Sequence, residues 1–141
     1  MTAQDLVELP RLSGVVVHGD KRGRVLGFPT ANILLDSATD LTDGVYSCWV
    51  QLPNDETLHG ATLSLGRNPT FDDVHERRAE AYIHDLDADL YGQRVVVHVA
   101  RHLRGMVRFA SVEQLIAQTA MDVVLSRQIL ADHPAGAKKQ T

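Results

Sequence analysis

RVLGFPTANI, residues 24 to 33, carries an apolar run into a Pro-Thr-Ala-Asn corner. It closes a longer segment, GVVVHGDKRGRVLGFPTAN (residues 14–32), in which Gly19, Gly23 and Gly27 recur at every fourth position with Lys21, Arg22 and Arg24 between them. Glycines let backbone N–H groups approach a phosphate chain closely, and basic side chains offset its charge. No Gly-Lys-Ser/Thr follows, and no G-x-G-x-x-G opens a helix here, so neither common nucleotide fingerprint applies. On spacing alone, a phosphate loop and a solvated glycine-rich surface loop remain equally open.

Pro29 sharpens the reading. It fixes its own φ and biases Phe28 toward an extended conformation, which gives a rigid corner. If the chain stays extended beyond it, Thr30 and Asn32 point the same way and Ala31 the other. A hydroxyl oxygen and an amide oxygen are hard, neutral ligands of the kind that suit Mg²⁺ completed by waters and nucleotide phosphates. A turn stabilised by Thr and Asn capping bonds is the competing explanation.

Outward from this segment, strand-like runs rich in Val and Tyr fall at Gly14–His18, Val45–Leu52, Leu58–Leu65, Glu80–Leu86 and Arg94–Ala100. Pro53-Asn54-Asp55-Glu56 reads as the turn of an antiparallel hairpin, and Asp89-Leu90-Tyr91-Gly92 as a bend between the last two runs. A helix is predicted from Ser111, which with Gln114 forms a capping box. Its apolar stripe is Val112, Leu115, Ile116, Thr119, Val123 and Leu130, with Asp122 and Arg127 off the stripe and toward solvent. Strands followed by one helix, without βαβ alternation, imply an antiparallel barrel or curled sheet with a packed C-terminal helix. Residues 1–12 read as a lead-in, 13–131 as the domain and 132–141 as a flexible tail.

Composition removes several classes of function. The 141 residues suit one domain, and 44% hydrophobic with 23% charged residues is ordinary for a globular chain. A net charge of −4 and 5% aromatic content argue against a nucleic-acid binder, which needs phosphate neutralisation and stacking platforms. Cys48 is the single cysteine and reads as a small core residue, so no disulfide and no cysteine zinc cage is expected. With no signal pattern and no run long enough to span a bilayer, a cytoplasmic location without membrane contact is expected. His98 and His102, with His84, have a plausible zinc spacing, weighed against ordinary surface histidines.

The segment at 14–32 resembles the signature of the riboflavin kinase (flavokinase) family. The resemblance continues in order through Gly44-Val45-Tyr46, the Leu65–Phe71 turn LGRNPTF, the run from Ala79-Glu80 to Asp89-Leu90-Tyr91-Gly92, and Leu103-Arg104 with Phe109 before the helix. It implies a mainly β fold, a Greek-key-like antiparallel six-stranded barrel with a C-terminal helix packed on it. It further implies Mg²⁺-dependent transfer of the ATP γ-phosphate to the 5′-hydroxyl of riboflavin, giving FMN and ADP, by a monomer.

On the resemblance, Glu80 is the catalytic residue and Thr30 and Asn32 hold the metal. ATP falls to Gly14, Gly19, Lys21, Gly23, Arg24, Gly27, Pro29, Leu90 and Tyr91, and the flavin to Arg104, Met106 and Phe109. Read only as a strand residue, Glu80 is as well explained by an outward position beside Tyr82 and His84. Gly105-Met106-Val107 lacks the glutamate that many of the family carry there. In many bacteria such a barrel follows an FMN-adenylylating half, which a chain of this length is expected to lack. The alternative function is a non-catalytic flavin or nucleotide sensor on the same fold.

Overall fold

A computed structural model describes residues 9–18, 29–66, 78–86 and 88–132. Among the described residues six strands form: β1 Arg11–Val17, β2 Ala31–Leu35, β3 Gly44–Gln51, β4 Leu58–Gly66, β5 Arg78–Ile83 and β6 Arg94–Arg104. A long helix follows, α1, Val112–Asp132. All pairings are antiparallel, and the order β1-β2-β5-β4-β3-β6 closes into a barrel. β3, β4 and β5 run as a meander and β6 returns beside β3, which is a Greek key.

Period-two alternation explains the interior. Val16, Ile33, Cys48, Val50, Leu63, Leu65, Ala81, Val95 and Val97 come from every strand and fill one buried cluster. Cys48 is fully buried, and burial pushes its thiol up, far from any nucleophile's range. β6 carries the curvature: two register shifts against β3, at Val45/Tyr46 and Ser47/Cys48, bend it around the barrel. The hairpin over Pro53-Asn54 joins β3 to β4, with Asn54 in the left-handed region at φ 58°.

β2 differs from the sequence reading, in which the corner at 29–32 closes a strand. Here Pro29 and Thr30 lead into one, and Ala31 and Asn32 already pair with β5. A five-residue strand opening on a Pro-Thr-Ala-Asn corner lacks the long Val-rich run that marks the others.

α1 packs across β3, β4 and β6. Leu130 joins Trp49 and Leu58 in a second apolar cluster, where truncation to Ala would cost roughly 2–5 kcal/mol. The fully buried Ser126 hydroxyl lies 3.1 Å from the Ala61 carbonyl oxygen and 3.2 Å from the Ser47 hydroxyl, so the helix is keyed by direction as well as apolar area. The Ser111 hydroxyl accepts from the Gln114 N–H at 3.2 Å, while Gln114 Oε1 reaches the Ala110 N–H at 3.0 Å, one residue before the expected partner.

The packed face departs from the expected stripe. Val112 is 56% exposed and Ile116 37%, whereas Asp122 is buried. Helix periodicity puts Asp122 in solvent because it lies off the apolar stripe; its partner, Arg104, which offsets the cost of burying the carboxylate, is invisible to that periodicity. With α1 on β3, β4 and β6, no described helix packs on the outer face of β1, β2 and β5. That is where the chemistry-bearing residues gather.

Candidate active site

A cleft of about 610 Å³ opens at one end of the barrel, lined by residues from the end of β1, the start of β2, the end of β5 and the 86–91 bend. Pro29, Thr30, Asn32, Leu90 and Tyr91, five of the residues singled out in the sequence, line it together. The bend is firmly built. The Asp89 carboxylate accepts the Tyr91 N–H at 3.0 Å, and Leu90 is buried into the core. Gly92 takes φ 82°, open to glycine without strain, and its N–H donates to the Val16 carbonyl at 2.8 Å. Val16 N–H in turn donates to the Gln93 carbonyl at 2.9 Å, so the bend and β1 are joined into one wall.

Tyr91 remains 54% exposed and stacks face to face on His18, with centroids 3.7 Å apart and planes 15° from parallel. An exposed aromatic pair at the rim of a cleft offers a flat apolar surface to a planar ring. His18 was not singled out as a site residue in the sequence, although it closes the run Gly14–His18 within the segment that carries the resemblance.

The β2–β5 register sets Asn32 opposite Glu80, and the β4–β5 register sets Ser64 opposite Glu80 on the other side. Because Ala31, Ala79 and Ala81 belong to the interior, Asn32, Glu80 and Ser64 form a row across the outer face. Directly opposed residues have Cβ atoms roughly 4.5–5.5 Å apart. Glu80 itself does not line the cleft; Asn32 does, and so links the cleft to the carboxylate. Thr30 hydroxyl and Asn32 amide oxygens are hard donors at the cleft wall, with a carboxylate one strand away. This donor set fits a Mg²⁺ ion that keeps waters and takes phosphate oxygens.

The residues expected on the flavin side stand apart from the cleft. Arg104 ends β6, Met106 and Phe109 follow it, and the guanidinium carbon sits 5.8 Å from the Phe109 ring centre. Met106 covers Gly66: a Cβ built there would come within 3.3 Å of Met106 Cγ. Gly66 lies two residues along β4 from Ser64, about 7 Å. The segment after β6 therefore lies against β4 two residues from Ser64, one end of the row that contains Glu80.

Gly14 sits buried inside β1, and a Cβ there would collide with the Leu34 carbonyl; close strand approach accounts for this glycine, which does not line the cleft. Gly19, Lys21, Gly23, Arg24 and Gly27, like most of the 65–71 turn, lie outside the described residues. His84 and His98 are buried rather than superficial, each 6% exposed. His84 Nε2 is 2.7 Å from the Thr62 hydroxyl, and His98 Nε2 is 3.3 Å from Gln51 Oε1. Among the described residues no three His, Cys, Asp or Glu side chains gather as a metal-holding group.

The chain belongs to the riboflavin kinase family: the Flavokinase family model matches residues 6–130. It is similar to the bifunctional riboflavin kinase/FMN adenylyltransferase of Escherichia coli (strain K12), at 37% identity over 117 residues, covering 83% of this chain and 37% of the relative. The protein of the same description from Listeria monocytogenes is 39% identical over 119 residues, covering 84% and 37%. The chain thus spans little more than a third of the length of these relatives.

Among solved structures, riboflavin kinase from Trypanosoma brucei superposes with a TM-score of 0.63 at 28% identity, covering 86% of this chain and 76% of that one. A Streptococcus pneumoniae protein described as a macrolide-efflux protein superposes with a TM-score of 0.75 at 39% identity, covering 84% and 38%. Among the described residues here, no helix is long and apolar enough to cross a membrane.

Proposed function

We propose that this chain transfers the γ-phosphate of ATP to the 5′-hydroxyl of riboflavin, giving FMN and ADP. The observation that carries the reading is the strand register that sets Asn32, on the cleft wall, opposite Glu80 on the outer face. Family membership supplies the chemistry that this arrangement is read against. Phosphoryl transfer asks a protein for positioning and charge stabilisation rather than covalent chemistry.

The nucleotide enters the cleft, with its base toward the Tyr91–His18 stack and its phosphates toward Thr30 and Asn32. Thr30 and Asn32 are the residues that hold Mg²⁺, which neutralises phosphate charge when bound. Glu80 receives the proton of the ribityl hydroxyl, or fixes that hydroxyl for attack. Riboflavin lies with its ribityl end toward Glu80 and its ring under the segment carrying Met106 and Phe109. A monomer is the working unit proposed. The free, buried Cys48 suits a reducing cytoplasm.

The test is to incubate the folded protein with riboflavin and Mg-ATP and to resolve flavins and nucleotides by chromatography. FMN and ADP in equal amounts are expected. A folded sample that forms no FMN above background overturns the proposal.

A further inference from the structure

The side chain of Asp122 is only 7% exposed, on the face of α1 turned to the sheet. Arg104 Nε donates to its two carboxylate oxygens at 3.0 and 3.1 Å, Arg104 Nη2 donates at 2.8 Å, and Gln118 Nε2 at 2.9 Å. Arg104 Nη1 donates forward to the Gly105 carbonyl at 3.0 Å, and Phe109 lies by the guanidinium. The fork of Arg104 is thus committed to the protein, with Asp122 behind it and the departing chain ahead.

Apolar contacts would hold a helix to a sheet at least as well as a buried ion pair, which must repay the desolvation of both charges. What a bidentate pair adds is orientation. The oriented element is the chain from Gly105 to Phe109, whose Met106 covers Gly66 near the Glu80 row. We propose that Asp122 is a positioning residue for the flavin side: through Arg104 it sets the segment that carries Met106 and Phe109 against the planar ring of the flavin. Arg104 then acts through placement of that segment rather than by stacking on the flavin itself. This inference rests on the kinase reading above.

The experiment compares the wild type, Asp122→Asn, Arg104→Lys and the double variant, each checked for folding by thermal melting. Steady-state KM is measured separately for riboflavin and for ATP. Each single change raises KM for riboflavin about tenfold and leaves KM for ATP within about twofold, and the double variant is no worse than the worse single, since both changes break one device. A purely structural role lowers the melting temperature without separating the two KM values, and that result overturns the inference. So does an additive double variant, which would give Arg104 a contact of its own. Should Asp122→Asn fail to fold, Arg104→Lys, which keeps the charge and loses the fork, carries the same comparison. An active wild type with unmoved riboflavin KM values in the variants overturns this inference alone; a wild type that makes no FMN overturns the kinase reading as well.

Discussion

Asn32 and Glu80 face each other across the β2–β5 ladder, and of the two only Asn32 also lines the barrel-end cleft. A neutral oxygen donor and a carboxylate are thereby held on adjacent strands, on rigid elements rather than on loops. Shifting the pairing by one residue would send Asn32 to the interior and Ile33 to the outer face. Closure of the barrel makes such a slip costly, because Ile33 is core.

Asn32→Ala removes one hard oxygen from the cleft wall. Half-maximal activity is then expected to need roughly tenfold more Mg²⁺, with KM for riboflavin little changed. Titration of the rate against free Mg²⁺ checks this; an unchanged metal dependence would remove Asn32 from the metal side.

Tyr91→Ala deletes one ring of the exposed His18–Tyr91 stack. An aromatic pair contributes about 0.5–1.5 kcal/mol, so KM for ATP is expected to rise roughly two- to tenfold. The buried neighbour Leu90 keeps the bend in place, so stability changes little. Competition between ATP and a nucleotide lacking an aromatic base separates a ring contact from a general disturbance: the wild-type preference for ATP shrinks in the variant.

Burial depresses the His84 imidazole from 6.5 to about 4, assisted by the Arg127 guanidinium and opposed by Asp85. The folded state therefore holds His84 neutral where the unfolded chain would protonate it. Stability from this group is complete above about pH 6.5 and is lost as pH falls toward 4, by at most about 3 kcal/mol. Urea denaturation of the wild type and His84→Gln between pH 4.5 and 7.5 isolates the effect. The wild type's advantage shrinks by about 2–3 kcal/mol over that range; parallel profiles would show that His84 does not carry it.

The strands were legible where Val and Tyr alternate with polar residues, and five of the six lie where that pattern puts them, to within a few residues. β2 was not, because its five residues open on a corner that reads equally well as a turn. Thr30, Asn32 and Glu80 could be picked out as candidates along the chain, but their juxtaposition depends on register, a long-range property that no local window contains. The burial of Asp122 and His84 was hidden for the same reason. Polarity alone predicts exposure for each, until Arg104 and Thr62 arrive from distant strands to satisfy them. Gly14, by contrast, lay within a nucleotide-like motif, yet the Leu34 carbonyl explains it by packing.

The central claim is that the Glu80 carboxylate serves the transfer step, and Glu80→Gln tests it most directly, since the amide keeps the shape and loses the base. FMN formation at saturating riboflavin and Mg-ATP is measured beside the wild type, with binding of both ligands determined separately. A rate lower by about 10²–10⁴-fold is expected, with both ligands still bound. A Glu80→Gln protein that forms FMN at the wild-type rate would contradict it.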